Sequence, residues 1–128
     1  ERAWELPEDP SGWPKSGLLE FKGATLRYRP ALPPAVTQLS MRISAGERLG
    51  IVGRTGAGKS SISVMLLRLV ELESGSISLD GTDLNRIGLH TVRRAITMVP
   101  QDPFLFLGSV ARNLDPLSFY DQDKLAAA

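Results

Sequence analysis

The residues best suited to chemistry lie in one short stretch, "GIVGRTGAGKSS", which covers residues 50–61. Within it, Gly53 to Ser60 satisfy the pattern G-x-x-x-x-G-K-[ST]. Small residues allow a backbone to curl until its N–H groups converge on one point, and a following helix adds the positive end of its dipole. The stretch therefore predicts a loop that holds the phosphates of a nucleotide.

The positions of this loop have separable roles. Gly56 and Gly58 are expected to supply unusual φ angles, because a side chain there would clash with the anion or strain the turn. Lys59 is expected to reach the β and γ phosphates, Ser60 to offer its hydroxyl to Mg²⁺, and Ser61 to bond the α phosphate. The motif alone leaves ATPases, GTPases and small-molecule kinases open. The predicted phosphate-binding residues are Gly53, Arg54, Thr55, Gly56, Ala57, Gly58, Lys59, Ser60 and Ser61.

The elements beside the loop occur in the order that a phosphate site needs. An apolar strand, residues 49–52, runs straight into it, and apolar positions at helical spacing predict a largely buried helix over residues 59–70. A second apolar run, residues 96–99, predicts another buried strand that ends at Pro100. A short helix is expected around residues 90–93.

The remaining segments are typical of a β layer. The segment that precedes this layer differs from it in composition. The runs "LLEFKG", "TLRYRP" and "VTQLSMRIS" predict three antiparallel strands, and "SGSISLDGTDL" predicts a hairpin that turns at Asp80 and Gly81. Residues 1–17 read as an extended linker in which Trp4 and Trp13 either pack on the domain or dock on a partner. Towards the end of the chain, helices are expected on both sides of a break at residues 115–116.

Composition narrows the class of protein. The chain has 128 residues, which fits one domain or a large piece of one, and its net charge of +1 gives no broad field that would attract nucleic acid. It contains no cysteine, which excludes disulfides and thiolate metal sites. Its longest apolar run, residues 64–67, is far shorter than the roughly 20 residues that span a bilayer, so a membrane role would come through other segments or partners.

Four separated motifs, "LRYRP", "VGRTGAGKSS", "VPQDPFLF" and "NLDP", resemble the second nucleotide-binding domain of C-subfamily ABC transporters, the multidrug-resistance-associated type. The resemblance extends over essentially the whole chain. It implies an α/β fold, the P-loop NTPase core of an ABC ATPase with an N-terminal antiparallel β layer, truncated before the Walker B strand. Residues 1–17 would be the linker before the domain, and residues 18–128 the N-terminal part of an incomplete domain.

The same resemblance implies roles for residues outside the loop. Tyr28 would stack on adenine, although by position alone it would be an ordinary strand residue, and Val36 would line the same pocket. Gln101 would be the Q-loop residue that binds Mg²⁺ and helps to place the attacking water. Lys59 and Gln101 are then the expected catalytic residues, Ser60 and Gln101 the expected metal ligands, and ATP and Mg²⁺ the cofactors.

Other groups that such an ATPase requires are not recognisable in the sequence. Asp80 ends an alternating run rather than a continuously apolar one, so we interpret it as a turn residue and not as a Walker B acid. Asp102 follows Pro100 past its strand and reads as a loop residue, and His90, the single histidine, reads as a surface residue of a helix. With strands of the parallel core missing, residues 49–52 and 96–99 are expected to be partly unpaired. Phe104 and Phe106 are either core residues or part of a surface that meets transmembrane segments.

The resemblance implies a domain that binds Mg-ATP at the cytoplasmic face of a membrane and powers export of a substrate. Its partners would be the transmembrane domains of the same transporter and a second nucleotide-binding domain. The full-length protein would be an ATP hydrolase, whereas the chain alone is expected to lack hydrolysis. The alternative is a regulatory nucleotide-binding module that gates a channel or a partner. A P-loop kinase or GTPase is disfavoured, because no guanine-reading "NKxD" stretch occurs and Tyr28 favours adenine.

Overall fold

A four-stranded antiparallel sheet organises the first part of the chain. The computed structural model describes residues 9–102, 104–116, 118, 120 and 123. The chain divides into two compact units, Glu1–Met98 and Val99–Ala128. The sheet of the first unit has the order β2-β1-β3-β4, so the predicted antiparallel layer and hairpin are confirmed. Its strands are β1 (Leu19–Leu26), β2 (Val36–Ile43), β3 (Ser74–Leu79) and β4 (Thr82–Asp83).

The centre of the sheet is β1, which pairs with β2 on one side and with β3 on the other. The prediction of two strands in this region is wrong, because one strand continues through Gly23. Gly23 has a φ of 59°, and the pairing with both neighbours is irregular around it. A bulge of this kind needs a residue that tolerates left-handed φ, and a glycine within a strand supplies it without ending the strand.

The helix that follows the phosphate loop is shorter than its apolar pattern predicts. It is α1 (Lys59–Leu66), and the chain then turns at Arg68, which has a φ of 47°. Arg68 N donates to Met65 O and Leu69 N donates to Val64 O, the two bonds of a Schellman motif. The predicted extension to residue 70 and the prediction of a largely buried helix are therefore wrong: only Ser61 and Met65 are buried in α1, and Leu69 is 56% exposed.

Arg68 occupies a position where glycine is usual, and its side chain gives the reason. The side chain is buried, and Nη1 donates to Leu84 O and Ile87 O, each at 2.8 Å. These carbonyl groups belong to, or directly follow, a 3₁₀ turn at Leu84–Arg86. Arg68 thereby ties the end of α1 to the segment that precedes α2 (Leu89–Ala95). The predicted short helix around residues 90–93 is confirmed by α2.

The core lies where the sheet, α1 and α2 supply their apolar side chains. It contains no residue of the run 49–52, which was predicted to be a buried strand. It consists of Phe21, Ala24, Leu26, Met65, Ile77, Leu79, Leu84, Ile87 and Val92.

The two predicted parallel strands are not formed within the described part of the chain. Residues 49–52 and 96–99 are assigned to no strand, and Val52 and Val99 are 94% and 88% exposed. A continuously apolar strand is stable when neighbouring strands and both faces of a sheet surround it. The four described strands pair antiparallel among themselves and offer no such place, so the prediction of buried strands here is wrong. The two runs, expected to be partly unpaired, take no part in strand pairing in the described chain.

The segment before β1 is bonded closely to the first unit. Trp13 packs against the core, and its Nε1 donates to Leu79 O at 3.0 Å, which favours the first of the two alternatives, packing on the domain. Trp4 lies outside the described residues. Asp9 accepts hydrogen bonds from Gly88 N at 2.9 Å and Thr91 Oγ1 at 2.6 Å. The boundary at residues 17 and 18 stays a prediction.

Asp80 is a turn residue, as predicted, and it also binds the entering chain. It lies between β3 and β4 with a φ of 51°. Its carboxylate accepts hydrogen bonds from the Ser16 hydroxyl and from the backbone N–H groups of residues 15–18. The Ser16 hydroxyl, followed by these N–H groups, holds the pKa of Asp80 well below its usual range. This carboxylate clamp joins two segments that are more than 60 residues apart.

The second unit contains α3 (Val110–Leu114), which Ser109 caps by accepting a bond from Arg112 N at 3.3 Å. The helix ends at Asp115, which confirms the predicted break. The start of the helix that the sequence predicts beyond this break lies outside the described residues. Phe104 and Phe106 contact each other edge to face, with centroids 5.1 Å apart, and are 76% and 51% exposed. They are therefore not core residues.

Candidate nucleotide-binding site

The phosphate loop adopts the backbone conformation that its glycines predict. Gly56 and Gly58 have φ angles of 82° and 86°, in the left-handed region that side chains with a Cβ disfavour. Ala57, between them, donates its N–H to Arg54 O at 3.1 Å. Alternation of right- and left-handed residues makes a concave row of N–H groups, which is suited to an anion. The predicted role of Gly56 and Gly58 in the turn is confirmed.

Gly58 has a second constraint that the sequence does not reveal. A Cβ on this residue would lie 2.5 Å from Ala35 O and 3.4 Å from Val36 Cγ2. Ala35 and Val36 end the β1–β2 connection and begin β2, so this connection lies directly against the phosphate loop. Val36, predicted to line the base pocket, is thus beside the loop. A Cβ on Gly56, in contrast, would meet nothing within 4 Å.

The Lys59 side chain folds back over the loop that precedes it. Its Nζ donates to Gly53 O at 2.7 Å and to Arg54 O at 2.8 Å. The ammonium group therefore contacts the backbone of the loop. Ser60, the next residue, is exposed.

The N-terminus of α1 carries no competing negative charge. Among its described residues no side chain caps the first turn, and no acidic residue occupies it. The first N–H groups of a helix have no partners within the helix and carry partial positive charge. Together with the Lys59 ammonium, they make this end of α1 favourable for a phosphate chain.

Tyr28 and Ser61 meet at the edge of the loop. The Tyr28 hydroxyl lies 2.9 Å from Ser61 Oγ, and Ser61 is buried in the first turn of α1. Tyr28 itself is 45% exposed. A predicted base-stacking residue and a predicted phosphate-binding residue are therefore in direct contact, although 33 residues separate them in the chain.

The segment that carries Tyr28 is braced by an ion pair that sequence reasoning missed. The Arg27 guanidinium contacts both carboxylate oxygens of Glu73, at 2.8 and 3.2 Å, and also donates to Leu32 O. Ala35 N donates to Leu26 O at 2.8 Å and closes the connection. No pattern in the sequence identifies this pair, because an arginine and a glutamate 46 residues apart have no characteristic spacing.

The remaining residues singled out from the sequence are Gln101, Asp102 and His90. Gln101 is exposed and belongs to the second unit, so its predicted roles at Mg²⁺ and water stay predictions. Asp102 is exposed in a bend, and His90 is half-buried on α2. Within the described ranges, no three His, Cys, Asp or Glu side chains cluster in a way that could hold a metal ion. No described helix is long and apolar enough to cross a membrane.

Comparison with known proteins matches the part of the chain that contains this loop. The profile of the family described as "ABC transporter" matches residues 36–128, well over half of the chain. This chain belongs to the ABC transporter family. The phosphate loop of this ABC transporter chain therefore lies within the region that defines the family.

Three relatives, each from a different organism, have names of the ATP-binding cassette (ABC) type. The chain is 44% identical over 97% of its length to ABC transporter C family member 2 of Dictyostelium discoideum. It is 46% identical over 98% of its length to human ATP-binding cassette sub-family C member 3, and 55% identical over 85% to the ABC-type transporter cicA of Emericella nidulans. These similarities support a nucleotide-binding domain of the C-subfamily type. The chain spans 8–9% of the length of these relatives.

Proposed function

We propose that this ABC transporter chain binds Mg-ATP as the N-terminal part of the second nucleotide-binding domain of a C-subfamily transporter. In the whole protein, ATP binding and hydrolysis would power transmembrane export of a substrate from the cytoplasmic face of a membrane. The partners would be the transporter's own transmembrane domains and a second nucleotide-binding domain. A regulatory domain that gates a channel would share the same ATP-binding step.

The observation that carries the proposal is the contact between an aromatic residue and the phosphate loop. The hydroxyl of Tyr28 reaches Ser61 at 2.9 Å, while 45% of the residue is exposed and able to receive a base. One nucleotide would then place its adenine on this ring and its phosphates in the loop. Offset stacking on a tyrosine suits a flat purine.

The loop fits a magnesium-bound phosphate chain. Its left-handed glycines open a concave row of N–H groups, and its lysine ammonium lies over the loop carbonyl groups. Ser60 would contribute its hydroxyl to Mg²⁺, and Gln101 its amide oxygen. When bound, Mg²⁺ neutralises charge on the β and γ phosphates. For the chain alone, we expect ATP binding without hydrolysis.

Titration with a fluorescent ATP analogue tests the proposal. Lys59→Ala should weaken binding at least tenfold, because a charge-assisted contact to phosphate contributes about 1.5–3 kcal/mol. Lys22→Ala, which alters an exposed lysine on β1, is the matched control and should bind as the unaltered chain does. Equal affinities of the Lys59 and Lys22 variants would contradict the phosphate assignment. ATP turnover above a protein-free control would contradict the expectation of binding without hydrolysis.

A further inference from the structure

The hydrogen bond between Tyr28 and Ser61 links two functions that the sequence assigns to separate residues. Ser61 is 6% exposed, and its backbone N–H donates to Gly58 O at 3.1 Å, so its backbone is fixed in the first turn of α1. Its side chain can still choose among three staggered rotamers. The Tyr28 hydroxyl, 2.9 Å from Oγ, selects one of them.

We propose that the Tyr28 hydroxyl is a positioning group for the phosphate end of the nucleotide, acting through Ser61. The inference rests on the proposed function and deepens it. Tyr28 would contribute its ring to the base and its hydroxyl to the orientation of the serine that bonds the α phosphate. It would thus couple the two ends of the ligand site.

The hydrogen-bonding capacity of the two hydroxyl groups permits this arrangement. A serine hydroxyl has one proton to donate and two lone pairs that accept, and a phenol likewise donates one proton. When the tyrosine donates to Ser61 Oγ, the serine proton is directed away from the tyrosine and is free for an anion. A chain of two donors ending on a phosphate oxygen also polarises each bond favourably.

Neighbouring contacts brace the chain segment that carries Tyr28. The Arg27–Glu73 pair and the Ala35–Leu26 bond close the connection that carries Tyr28. Glycine at position 58 allows that connection to approach the loop closely. The backbone that carries Tyr28 is therefore held beside the loop by the fold, which reduces the reorganisation needed to orient Ser61 on binding.

The test compares ATP with inorganic tripolyphosphate, which has the phosphate chain but no base. Tyr28→Phe keeps the ring and removes the hydroxyl. It should weaken binding of both ligands by a similar factor of about three to ten, the effect of one hydrogen bond. Tyr120→Phe, at an exposed tyrosine in the second unit, is the matched control and should change neither affinity.

Two further variants separate positioning from a general structural effect. Ser61→Ala removes the phosphate contact itself and should weaken binding at least as much as Tyr28→Phe, and the double variant should be no weaker than Ser61→Ala alone, because Tyr28 acts only through Ser61. Ser61→Thr retains the hydroxyl and should bind both ligands as the unaltered chain does. Thermal unfolding followed by circular dichroism verifies that each variant is folded.

The outcomes distinguish this inference from the proposed function. Unchanged tripolyphosphate affinity in Tyr28→Phe, or additive effects of the Tyr28 and Ser61 variants, would overturn the relay while ATP binding stands. Loss of ATP affinity alone would assign Tyr28 to the base only and would also overturn it. Failure of the unaltered chain to bind either ligand would overturn both proposals.

Discussion

The contact between Gly58 and Ala35 makes a quantitative prediction for one methyl group. Gly58→Ala adds a Cβ 2.5 Å from Ala35 O, a backbone atom that cannot move aside as a side chain would. The residue also keeps a φ of 86°, and an L-residue in the left-handed region costs about 1–2 kcal/mol. Forcing the backbone apart adds about 1–3 kcal/mol, as overpacking does elsewhere. The expected loss in the free energy of unfolding is therefore roughly 2–5 kcal/mol.

Two other glycines separate the cost of the left-handed φ angle from the cost of the contact with Ala35 O. Gly56 and Gly46 have φ angles of 82° and 73°, and a Cβ on either would meet nothing within 4 Å. Gly56→Ala and Gly46→Ala should therefore lose only the conformational cost of about 1–2 kcal/mol. The difference between Gly58→Ala and the mean of these controls measures the contact with Ala35 O alone.

Urea unfolding monitored by circular dichroism provides the measurement, with the unfolding free energy taken from the midpoint and slope of each transition. Because small domains are stable by about 5–15 kcal/mol, the expected loss is a large and readily measured fraction. If Gly58→Ala is no less stable than Gly56→Ala, the β1–β2 connection does not constrain the phosphate loop. The geometric reasoning about the site would then be refuted.

Three further predictions concern the scaffold. Because the pKa of Asp80 is lowered in the folded protein, the Asp80 carboxylate stabilises the fold at pH values above its unfolded pKa of about 4. This stabilisation is lost as the pH falls towards the lower pKa of the folded state. The difference between the melting temperatures at pH 7 and pH 3 should therefore be smaller in Asp80→Asn than in the unaltered chain. An equal difference in the two proteins would contradict the clamp. Arg68→Met removes the side-chain donor from two carbonyl groups, of which Leu84 O keeps the Ile87 N–H, and should cost about 1–3 kcal/mol in urea unfolding; a loss below about 0.5 kcal/mol would show that this anchor is dispensable. Gly75→Ala places a Cβ 2.3 Å from Gly23 O and should destabilise far more than Gly81→Ala, which meets open space; equal midpoints would contradict the close approach of β1 and β3.

The clamp at Asp80 and the anchor at Arg68 show how charged groups organise a small fold. Asp80 sits in a surface turn and collects donors from the chain that enters β1. Arg68 is buried and donates to carbonyl groups at the end of a short turn. Each fixes a connection between elements rather than filling the core. The elements that carry Tyr28 and the phosphate loop are thereby held to one scaffold.

The sequence by itself determined the features that depend on nearby residues. The conformation of the phosphate loop follows from Gly56 and Gly58, because φ preferences are local. The hairpin at Asp80 and Gly81 follows from turn chemistry, and the β layer from alternating apolar residues. The helix after the loop was predicted correctly in its start but not in its end.

Only the tertiary structure decided which distant groups meet. The Tyr28–Ser61 bond and the Arg27–Glu73 pair join residues that are 33 and 46 positions apart, and no local pattern encodes such partners. The apolar runs at residues 49–52 and 96–99 have the composition of buried strands, yet the described chain leaves them outside the sheet. A strand is stabilised by hydrogen bonds to its neighbours, and whether neighbours are present is a property of the assembled fold rather than of the segment.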